Sequence, residues 1–263
     1  SRIQDLHDAF VDTDVKMIIT SIWWLNSNQL LPYIDFELIK NNPKILCWYS
    51  DITVLSNAIL SRAWLVTYSW PHFFTFWDLK WFDYTLEYFL RCLENDEPYN
   101  ITASDFFSDD KWVRDQHNRN FTKNDWTLII NTGQAKWTIW WGNIWTLRLL
   151  QWTKYFPNIR NWILFIEECL PTDIKEFDRE LESLLQSIDY DVAWIVIWRF
   201  EKDSWVTNDL LIKMIKNKEQ ICSIPIIANA NIWHVYPFAT FPIWWIWEIK
   251  TNKEISRLRI TQH

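Results

Sequence analysis

Short apolar runs alternate with amphipathic segments along most of the chain, and the two spacings predict different elements. Apolar residues at helical spacing predict helical segments over Arg2–Val11, Asn26–Ile34, Phe36–Asn41, Ile52–Leu60, Tyr84–Leu93, Asp173–Ile188 and Asp209–Lys216. Apolar and β-branched runs predict strands over Val15–Ile22, Lys44–Tyr49, Leu65–Tyr68, Thr127–Asn131, Ala135–Trp140, Asn161–Ile166, Val192–Ile197, Ile224–Ala228, Ile246–Lys250 and Ile255–Ile260. Strands that alternate with helices are typical of an α/β fold with a largely parallel sheet.

The pattern divides the chain into two predicted domains with a polar stretch between them. Residues 1–95 are predicted to form an α/β domain with a doubly wound, mostly parallel sheet. Residues 96–126 are polar and irregular, which is typical of a linker or of a loop over an active site. Residues 127–263 predict a second, mixed α/β domain, in which Thr127–Asn131 and Ala135–Trp140 form a hairpin. Because the chain begins inside a predicted helix, we expect the first domain to be truncated at its N-terminus.

Composition excludes several classes of protein. A chain of 263 residues with 49% hydrophobic and 22% charged residues is typical of a soluble globular protein. A net charge of −7 without a basic stripe argues against a nucleic-acid partner, and no apolar run is long enough to span a membrane. The four cysteines are isolated, which favours a reducing compartment, the cytoplasm. There is no Walker loop, dinucleotide fingerprint or clustered metal-ligand set, so we expect no cofactor and no metal.

Glycine is almost absent, and tryptophan stands where glycine is ordinarily needed. The chain has 2 glycines and 22 tryptophans, whereas an average share of about 7% predicts roughly 18 glycines. The tryptophans that lie in turn-like sequences or end apolar runs are Trp23, Trp24, Trp70, Trp126, Trp205, Trp244 and Trp245. Glycine suits such positions because it has no Cβ, and tryptophan does not.

We hypothesise that the source organism reads UGA as glycine and that these tryptophans stand at UGA codons. Trp112 and Trp140 are the positions that we interpret as native tryptophans. The alternative is an aromatic surface that binds sugars, but such aromatics should alternate along one face of a strand. Finding UGG codons in the gene would disprove the hypothesis.

Ser50 is the first candidate for chemistry. It lies where the predicted strand Lys44–Tyr49 meets the amphipathic run that begins at Ile52. A strand-to-helix turn exposes a serine hydroxyl and directs the following backbone N–H groups at one point, as in a nucleophilic catalyst. Serine is also a preferred helix N-cap, so the local pattern leaves both interpretations open.

Acidic residues and a histidine follow two further predicted strands. Glu167 and Glu168 end an apolar strand, and His234 follows the strand end at Ile226–Ala230. A carboxylate at this position can orient a histidine as the third member of a triad does, but it also fits a solvated strand end or a helix cap. The other histidines, like most loop histidines, fit structural roles. Ser50, Glu167 and His234 all fall at C-terminal ends of predicted strands, where open α/β sheets place their sites.

Restoring glycine at the tryptophans produces several motifs in order. They are I-G-G-L-N-S-N-Q-L-L-P-Y-I-D from Ile22, G-Y-S-D-I-T around Ser50, G-G-N-I-G-T-L from Trp141, L-F-I-E-E from Leu164, N-I-G-H from Asn231 and F-P-I-G-G from Phe241. The motifs cover essentially the whole chain, and the sequence resembles the LD-carboxypeptidase family of serine peptidases. The resemblance is greatest to its microcin C self-immunity branch, and it implies that the family's first strand and helix units are missing before Ser1.

The resemblance implies a serine carboxypeptidase that hydrolyses an amide bond with a Ser-His-Glu triad. Ser50 is the implied nucleophile, His234 the general base and Glu167 its orienting partner. Glu167 is preferred to Glu168 because it matches the first acid of the family's motif. The resemblance implies neither a metal nor another cofactor.

The implied oxyanion hole consists of two backbone N–H groups, those of Asp51 and Trp24. Trp24 occupies the second glycine position of the family's Gly-Gly turn. The tryptophans that would crowd the implied cleft as literal indoles are Trp23, Trp24, Trp48, Trp141 and Trp233. We therefore expect the literal sequence to be inactive and poorly folded.

The resemblance also implies the substrate and the partners. Ile22-Trp23-Trp24 stands where carboxypeptidases that trim cell-wall peptides carry Arg-Gly-Gly, so the branch that cleaves peptidyl-nucleotides fits better. Trp112 is the implied aromatic that stacks on the nucleotide base, Asn143 is a second implied substrate contact, and a homodimer is expected. Two alternatives stay open: a murein tetrapeptide LD-carboxypeptidase and a catalytically inactive protein that binds such conjugates.

Overall fold

Two β-sheets, flanked by helices, organise the molecule. The computed structural model describes residues 1–21, 25–48, 50–69, 71–94, 96–110, 115–125, 127–158, 160–168, 173–230, 235–252 and 256–262. These residues contain a four-stranded sheet, an eight-stranded sheet and a two-stranded ribbon. The mixed α/β class is confirmed, with a mostly parallel N-terminal sheet and a mixed C-terminal sheet.

The helices and strands match most of the predicted segments to within a few residues. The α-helices are α1 Arg2–Val11, α2 Phe36–Asn41, α3 Thr53–Ala63, α4 Phe82–Glu94, α5 Ile144–Leu147, α6 Ile174–Ser187 and α7 Asn208–Lys216. Short 3-10 helices cover Ser27–Tyr33, Ser50–Ile52, Phe73–Trp77, Arg148–Leu150 and Lys202–Ser204. The strands are β1 Met17–Ile19, β2 Ile45–Trp48, β3 Tyr68–Ser69, β4 Tyr99–Ile101, β5 Phe106–Phe107, β6 Thr122–Lys123, β7 Leu128–Asn131, β8 Gly133–Asn143, β9 Trp162–Glu167, β10 Val192–Trp198, β11 Ile226–Ala230, β12 Phe241–Pro242, β13 Ile246–Thr251 and β14 Ser256–Gln262.

The N-terminal sheet has the strand order β1-β2-β3-β12. Its first three strands are parallel, and β12 joins the edge in the antiparallel direction from near the other end of the chain. Helices α1, α2 and α3 supply apolar side chains to the core beside this sheet, including Phe10, Ile39 and Ile59, all fully buried. The sheet that carries the Ser50 turn is therefore completed by a C-terminal segment.

The larger sheet has the order β4-β14-β13-β8-β9-β10-β11-β7. Its centre, from β8 to β11, is parallel, and the strands at both sides are antiparallel. The central strands are apolar on both faces, since helices α6 and α7 pack on one face and aromatic side chains fill the other. Such burial on both faces is the usual state of a parallel sheet.

The predicted hairpin between Thr127–Asn131 and Ala135–Trp140 is wrong. β7 pairs with β11, whereas β8 pairs with β9 and β13. The Asn131 side chain donates hydrogen bonds to the backbone oxygens of Cys222 (2.9 Å) and Ile224 (2.8 Å), beside β11. These bonds hold β7 at the far edge of the sheet.

Strands from different predicted regions pair with one another. β4 lies in the stretch 96–126, yet it pairs with β14 of the larger sheet. β12 lies in the C-terminal region, yet it pairs with β3 of the N-terminal sheet. Residues 1–95, 96–126 and 127–263 remain a prediction as domains, and the two sheets share the chain across those limits.

Several tryptophans adopt a backbone conformation that favours glycine. Positive φ angles occur at Trp64 (58°), Trp81 (61°), Trp152 (64°), Trp205 (57°) and Trp244 (78°). A residue with a Cβ is strained in this region, by roughly 1–2 kcal/mol. The sequence predicted turn positions for Trp205 and Trp244, and the structure places both in this conformation; Trp23, Trp24, Trp70 and Trp126 lie outside the described residues.

The buried indole groups differ in whether their N–H group has a hydrogen-bond acceptor. The Trp140 indole Nε1 donates a 2.7 Å hydrogen bond to Oδ1 of Asn57, and both side chains are buried. The buried indole N–H groups of Trp194, Trp244 and Trp247 have no acceptor within the described part of the chain. A buried tryptophan usually finds a hydrogen-bond partner. This difference supports Trp140 as a native tryptophan, and it supports glycine at the other three positions.

Replacing Trp152 or Trp205 by glycine should stabilise the protein. Both side chains are highly exposed, at 88% and 85%, so little packing is lost. We expect each change to raise the free energy of unfolding by about 1 kcal/mol, because glycine adopts a positive φ without strain. Chemical denaturation of the two variants measures this.

Trp137→Gly is the matched control, since Trp137 is exposed and lies in strand β8 at an ordinary φ. Glycine inside a strand lowers stability by roughly 0.5–1 kcal/mol. A loss of stability in Trp137→Gly, against a gain in Trp152→Gly and Trp205→Gly, would separate the backbone effect from the removal of a surface indole. If all three variants changed stability in the same direction, relief of strain at the positive φ angle would not explain the result.

Candidate active site

Ser50 lies on a sharp turn between β2 and α3. Its φ angle is 61°, the left-handed region that serine rarely adopts. Ile52 occupies the N-cap position of α3, and within the described part of the chain no side chain makes a capping hydrogen bond there. The alternative of Ser50 as the helix cap is therefore wrong. A partly exposed serine in a strained turn between strand and helix matches the placement of a nucleophile elbow.

Asp51 connects the serine turn to the segment that follows β1. Its buried carboxylate Oδ2 accepts a 2.8 Å hydrogen bond from the backbone N–H of Ser27. Ser27 begins the 3-10 helix three residues after Trp24, which lies outside the described residues together with Ile22 and Trp23. The bond holds the segment after Trp24 close to the Ser50 turn. The roles of the Asp51 and Trp24 N–H groups remain predictions.

Helix α3, which follows Ser50, docks directly on strand β8. Asn57 Nδ2 donates a 3.2 Å hydrogen bond to the Trp141 carbonyl oxygen and accepts the Trp140 indole through Oδ1. Gly142 makes this contact possible, because a Cβ at this position would overlap the Thr53 methyl group and the Leu147 side chain. Thr53 is the first residue of α3, so the fit at Gly142 sets the position of the serine turn.

The same end of β8 brings Asn143 beside Glu167. Strands β8 and β9 are parallel, and Asn143 pairs with Glu167 in their register. Glu167 is 2% exposed and Glu168 is 6% exposed, so both carboxyl groups are held inside the protein at the C-terminal edge of the sheet. Asn143 Oδ1 accepts the backbone N–H of Thr146 (3.1 Å) and caps α5. Its predicted contact with substrate stays a prediction.

His234 and Trp112 lie outside the described residues, but both flanks of the His234 segment are defined. β11 ends at Ala230 in the larger sheet, and β12 begins at Phe241 in the N-terminal sheet. Trp48 and Phe241 both pair with Ser69, from opposite sides of β3. Trp48 and Phe241 are thus two strand spacings apart, about 10 Å. Ser50 follows Trp48 by two residues, so the chain that leads into β12 reaches the edge of the sheet that carries Ser50.

The remaining described histidines have structural contacts. His7 Nε2 accepts the backbone N–H of Asp35 (3.0 Å), and buried His72 Nδ1 accepts that of Thr75 (3.1 Å) as the cap of a 3-10 helix. His117 lies in a turn where its backbone N–H donates to the Asp115 carboxylate (3.2 Å). These placements fit the structural roles that the sequence predicted for them.

Within the described ranges, no three histidine, cysteine, aspartate or glutamate side chains are grouped so that they could hold a metal ion. Cys92 and Cys222 are free thiols. Burial, and to a lesser extent the nearby Cys92, raises the pKa of the Cys47 thiol well above its ordinary value. Across the same ranges, no helix combines the length and the apolarity that crossing a membrane requires.

The docking of α3 on β8 was not predicted from the sequence. Its signal was available, since Gly142 is one of only 2 glycines in the chain. A glycine retained where nearly all others are tryptophan indicates a close approach of two elements. The bond between Ser27 and Asp51 was also missed, because it joins segments that only the fold brings together.

Gly142→Ala should displace the serine turn. The added methyl group overlaps Thr53 and Leu147, and such overpacking costs about 1–3 kcal/mol of stability. A shift of α3 by about 1 Å would move Ser50 relative to Glu167, so we expect kcat to fall by about 10²-fold. Steady-state kinetics and denaturation measure both effects, in a parent chain that has glycine at every tryptophan except Trp112 and Trp140.

Gly133→Ala is the matched control for this change. A Cβ at Gly133 would overlap the Pro225 ring at the far end of β8, well away from the serine turn. We expect a comparable loss of stability with kcat within about threefold of the parent, since no element of the site moves. A large loss of kcat in Gly133→Ala would show that β8 acts through general destabilisation.

The comparisons with known proteins place this α/β fold in a class, peptidases of the carboxypeptidase type. The model of the LD-carboxypeptidase N-terminal domain matches residues 1–69, and that of the C-terminal domain matches residues 138–246. The chain belongs to the LD-carboxypeptidase family.

Three relatives illustrate the similarity. YocD, a candidate carboxypeptidase of Bacillus subtilis, is 49% identical over 100% of this chain and 81% of its own length. The crystal structure of an MccF-like protein from Bacillus anthracis is 45% identical with a TM-score of 0.96, and the alignment covers 100% of this chain and 81% of that one. The microcin C7 self-immunity protein MccF, solved in complex with aspartyl sulfamoyl adenosine, is 25% identical with a TM-score of 0.85, over 100% and 80% of the two chains.

Proposed function

We propose that this protein is a serine carboxypeptidase that hydrolyses the amide bond of a peptidyl- or aminoacyl-nucleotide. Ser50 is the nucleophile, His234 the general base and Glu167 the carboxylate that orients His234. The observation that carries the proposal is the strained turn at Ser50, docked through Gly142 beside buried Glu167. The proposal includes a cytoplasmic homodimer, as the family resemblance implies.

The proposed reaction is an acyl transfer in two halves. Ser50 Oγ attacks the amide carbonyl carbon while His234 accepts the hydroxyl proton, which gives a tetrahedral intermediate. The C–N bond then breaks, and His234 returns the proton to the leaving amine nitrogen. His234 then deprotonates a water molecule, which attacks the acyl carbon. The bond between that carbon and Ser50 Oγ breaks, and His234 returns the proton to Oγ, which releases the acid and free Ser50. Every proton is accounted for within the triad and the water.

Backbone N–H groups stabilise the oxyanion in this proposal. The donors are those of Asp51 and Trp24, and each donor of this kind is typically worth about 10²–10³ in rate. The Ser27–Asp51 hydrogen bond supports the assignment, because it fixes the segment after Trp24 against the serine turn. Glycine at position 24 is part of the proposal, since a glycine allows its N–H to turn toward the cleft.

The substrate class is taken from the relatives. MccF has been solved with aspartyl sulfamoyl adenosine and with glutamyl sulfamoyl guanosine, two aminoacyl-nucleotide analogues. Trp112 is the proposed platform for the base and Asn143 a proposed contact. A stacked aromatic tolerates different bases, because each base has a π-face.

Hydrolysis of matched substrates tests the proposal. The protein to use is the glycine form, in which every tryptophan except Trp112 and Trp140 is glycine. We expect it to release the free amino acid from glutamyl sulfamoyl adenosine with many turnovers, measured by mass spectrometry. Cleavage of a murein tetrapeptide alone would favour the cell-wall alternative, and release of less than one equivalent with tight binding would favour an inactive binding protein.

A further inference from the structure

The chain is anchored immediately after His234. Tyr236 and Ser108 exchange two backbone hydrogen bonds, each 2.9 Å, in an isolated antiparallel bridge. The backbone N–H of Phe238 donates to Thr85 Oγ1 (3.1 Å), and Val235, Tyr236 and Phe238 are buried. The chain is therefore fixed from Val235 onward, directly after His234 in the sequence.

Tyr236 also packs against a buried ion pair. Arg119 Nη1 lies 2.8 Å from Asp78 Oδ1, and the two side chains are 1% and 2% exposed. The Arg119 guanidinium lies over the ring of Tyr236, 4.3 Å from its centre, and 5.2 Å from the ring of Phe121. A desolvated arginine over an aromatic face is a favourable cation–π contact.

The pair connects three distant parts of the sequence. Asp78 follows the 3-10 helix after β3, and Phe73 of that helix donates its backbone N–H to the Thr20 oxygen (2.9 Å) just beyond β1. Arg119 belongs to the polar stretch, and the Leu79 N–H donates to the Gln116 side chain (2.8 Å) beside it. The Ser50 sheet, the polar stretch and the His234 segment thus meet at Arg119.

We propose that Asp78 and Arg119 are positioning residues for His234, acting through the Tyr236 ring. The inference rests on the proposed function. Arg119 holds the ring from its face, and Ser108 fixes the same residue through its backbone, so Tyr236 has one position relative to the Ser50 sheet. His234 is only two residues before Tyr236 in the sequence, so a fixed Tyr236 restricts the positions that His234 can reach.

A structural role alone explains the pair poorly. Buried ion pairs contribute little stability compared with apolar residues of the same volume, because both charges lose their hydration. Arg119 Nε and Nη2 have no acceptor within the described residues, so this cation is incompletely compensated. Burial raises the pKa of Asp78, and the charge of Arg119 opposes that shift. What the pair supplies, and an apolar pair would not, is a fixed guanidinium plane against Tyr236.

The test replaces the pair by apolar residues in the glycine form. The double variant Asp78→Leu, Arg119→Met removes both charges together, so no unpaired charge remains buried. We expect kcat to fall by about 10²-fold with KM within about threefold, since the substrate contacts persist while the base is misplaced. We also expect amides of residues 231–240 to exchange hydrogen at least tenfold faster by mass spectrometry.

A second ion pair, in which the arginine is partly exposed, supplies the control. Arg148 Nη1 and Glu180 Oε1 are 2.9 Å apart, on the helices that cover the larger sheet. The variant Arg148→Met, Glu180→Leu should leave both kcat and the exchange of residues 231–240 unchanged. Equal effects in the two double variants would overturn the proposal, because they would reflect a general loss of stability.

Tyr236 provides a second, milder pair of variants should the first not fold. Tyr236→Phe keeps an aromatic face under the guanidinium and should retain kcat within about threefold, whereas Tyr236→Leu should lose it as the double variant does. Unchanged exchange of residues 231–240 in Tyr236→Leu overturns the positioning role. Absence of any turnover that depends on Ser50, with faster exchange present, instead removes the proposed function and leaves the anchoring of this segment standing.

Discussion

Ser50→Gly should abolish hydrolysis and at the same time make the protein more stable. The side-chain oxygen is the proposed nucleophile, and loss of a nucleophilic serine lowers kcat by about 10⁶-fold in comparable triads. The φ angle of 61° strains any residue with a Cβ, so glycine should raise the free energy of unfolding by about 1 kcal/mol. Turnover assays and denaturation on the glycine form measure the two effects.

Two controls make this result specific. Ser50→Ala retains the Cβ, so it should lose kcat equally without gaining stability. Asp189→Gly tests the backbone effect elsewhere, since Asp189 has φ 52° in the turn between α6 and β10; it should gain stability and keep kcat. Turnover of Ser50→Ala at the parent rate would remove Ser50 from the mechanism.

The second large effect is expected at Glu167. Glu167→Gln keeps the size of the side chain but removes the charge that orients and stabilises the proposed His234 cation, and the corresponding change in a serine protease triad lowers kcat by about 10⁴-fold. Because Glu167 is 2% exposed, water cannot replace the carboxylate. We expect KM to change little, and a full kinetic comparison on the glycine form gives both constants.

Glu168→Gln is the natural control, as it alters the adjacent residue, which is also buried at 6% exposure. Strand β9 ends at Glu167, which pairs with Asn143 of β8, whereas Glu168 follows beyond the strand. We therefore expect Glu167, and not Glu168, to face the histidine. We expect Glu168→Gln to keep kcat within about tenfold. If the larger loss occurs at Glu168, the orienting role belongs to that residue.

Local sequence signals predicted the helices well. Helix α1 was predicted with its observed limits, and α6 begins directly after Asp173, whose side chain accepts N–H groups of the first turn. Such caps depend on neighbouring residues only, so the sequence contains them. The Ser50 turn was predicted for the same reason, because the change from strand to helix pattern is local.

Strand pairing was predicted less well, since it depends on residues far apart in sequence. The predicted strand Leu65–Tyr68 is observed as Tyr68–Ser69, after a left-handed residue at Trp64 that ends α3. β12 was not predicted, because two residues carry no periodic pattern and only β3 makes them a strand. The Asp78–Arg119 pair was missed for the same reason, as no local signal joins its two residues.

The passage of the chain from β11 to β12 has a consequence for how the protein is assembled. His234 lies between a strand of one sheet and a strand of the other, so its neighbours take their final places only after both sheets have formed and met. The rate of hydrolysis would then be a better measure of completed folding than the helix content. A refolding time course should show ellipticity recovering first and enzymatic turnover last.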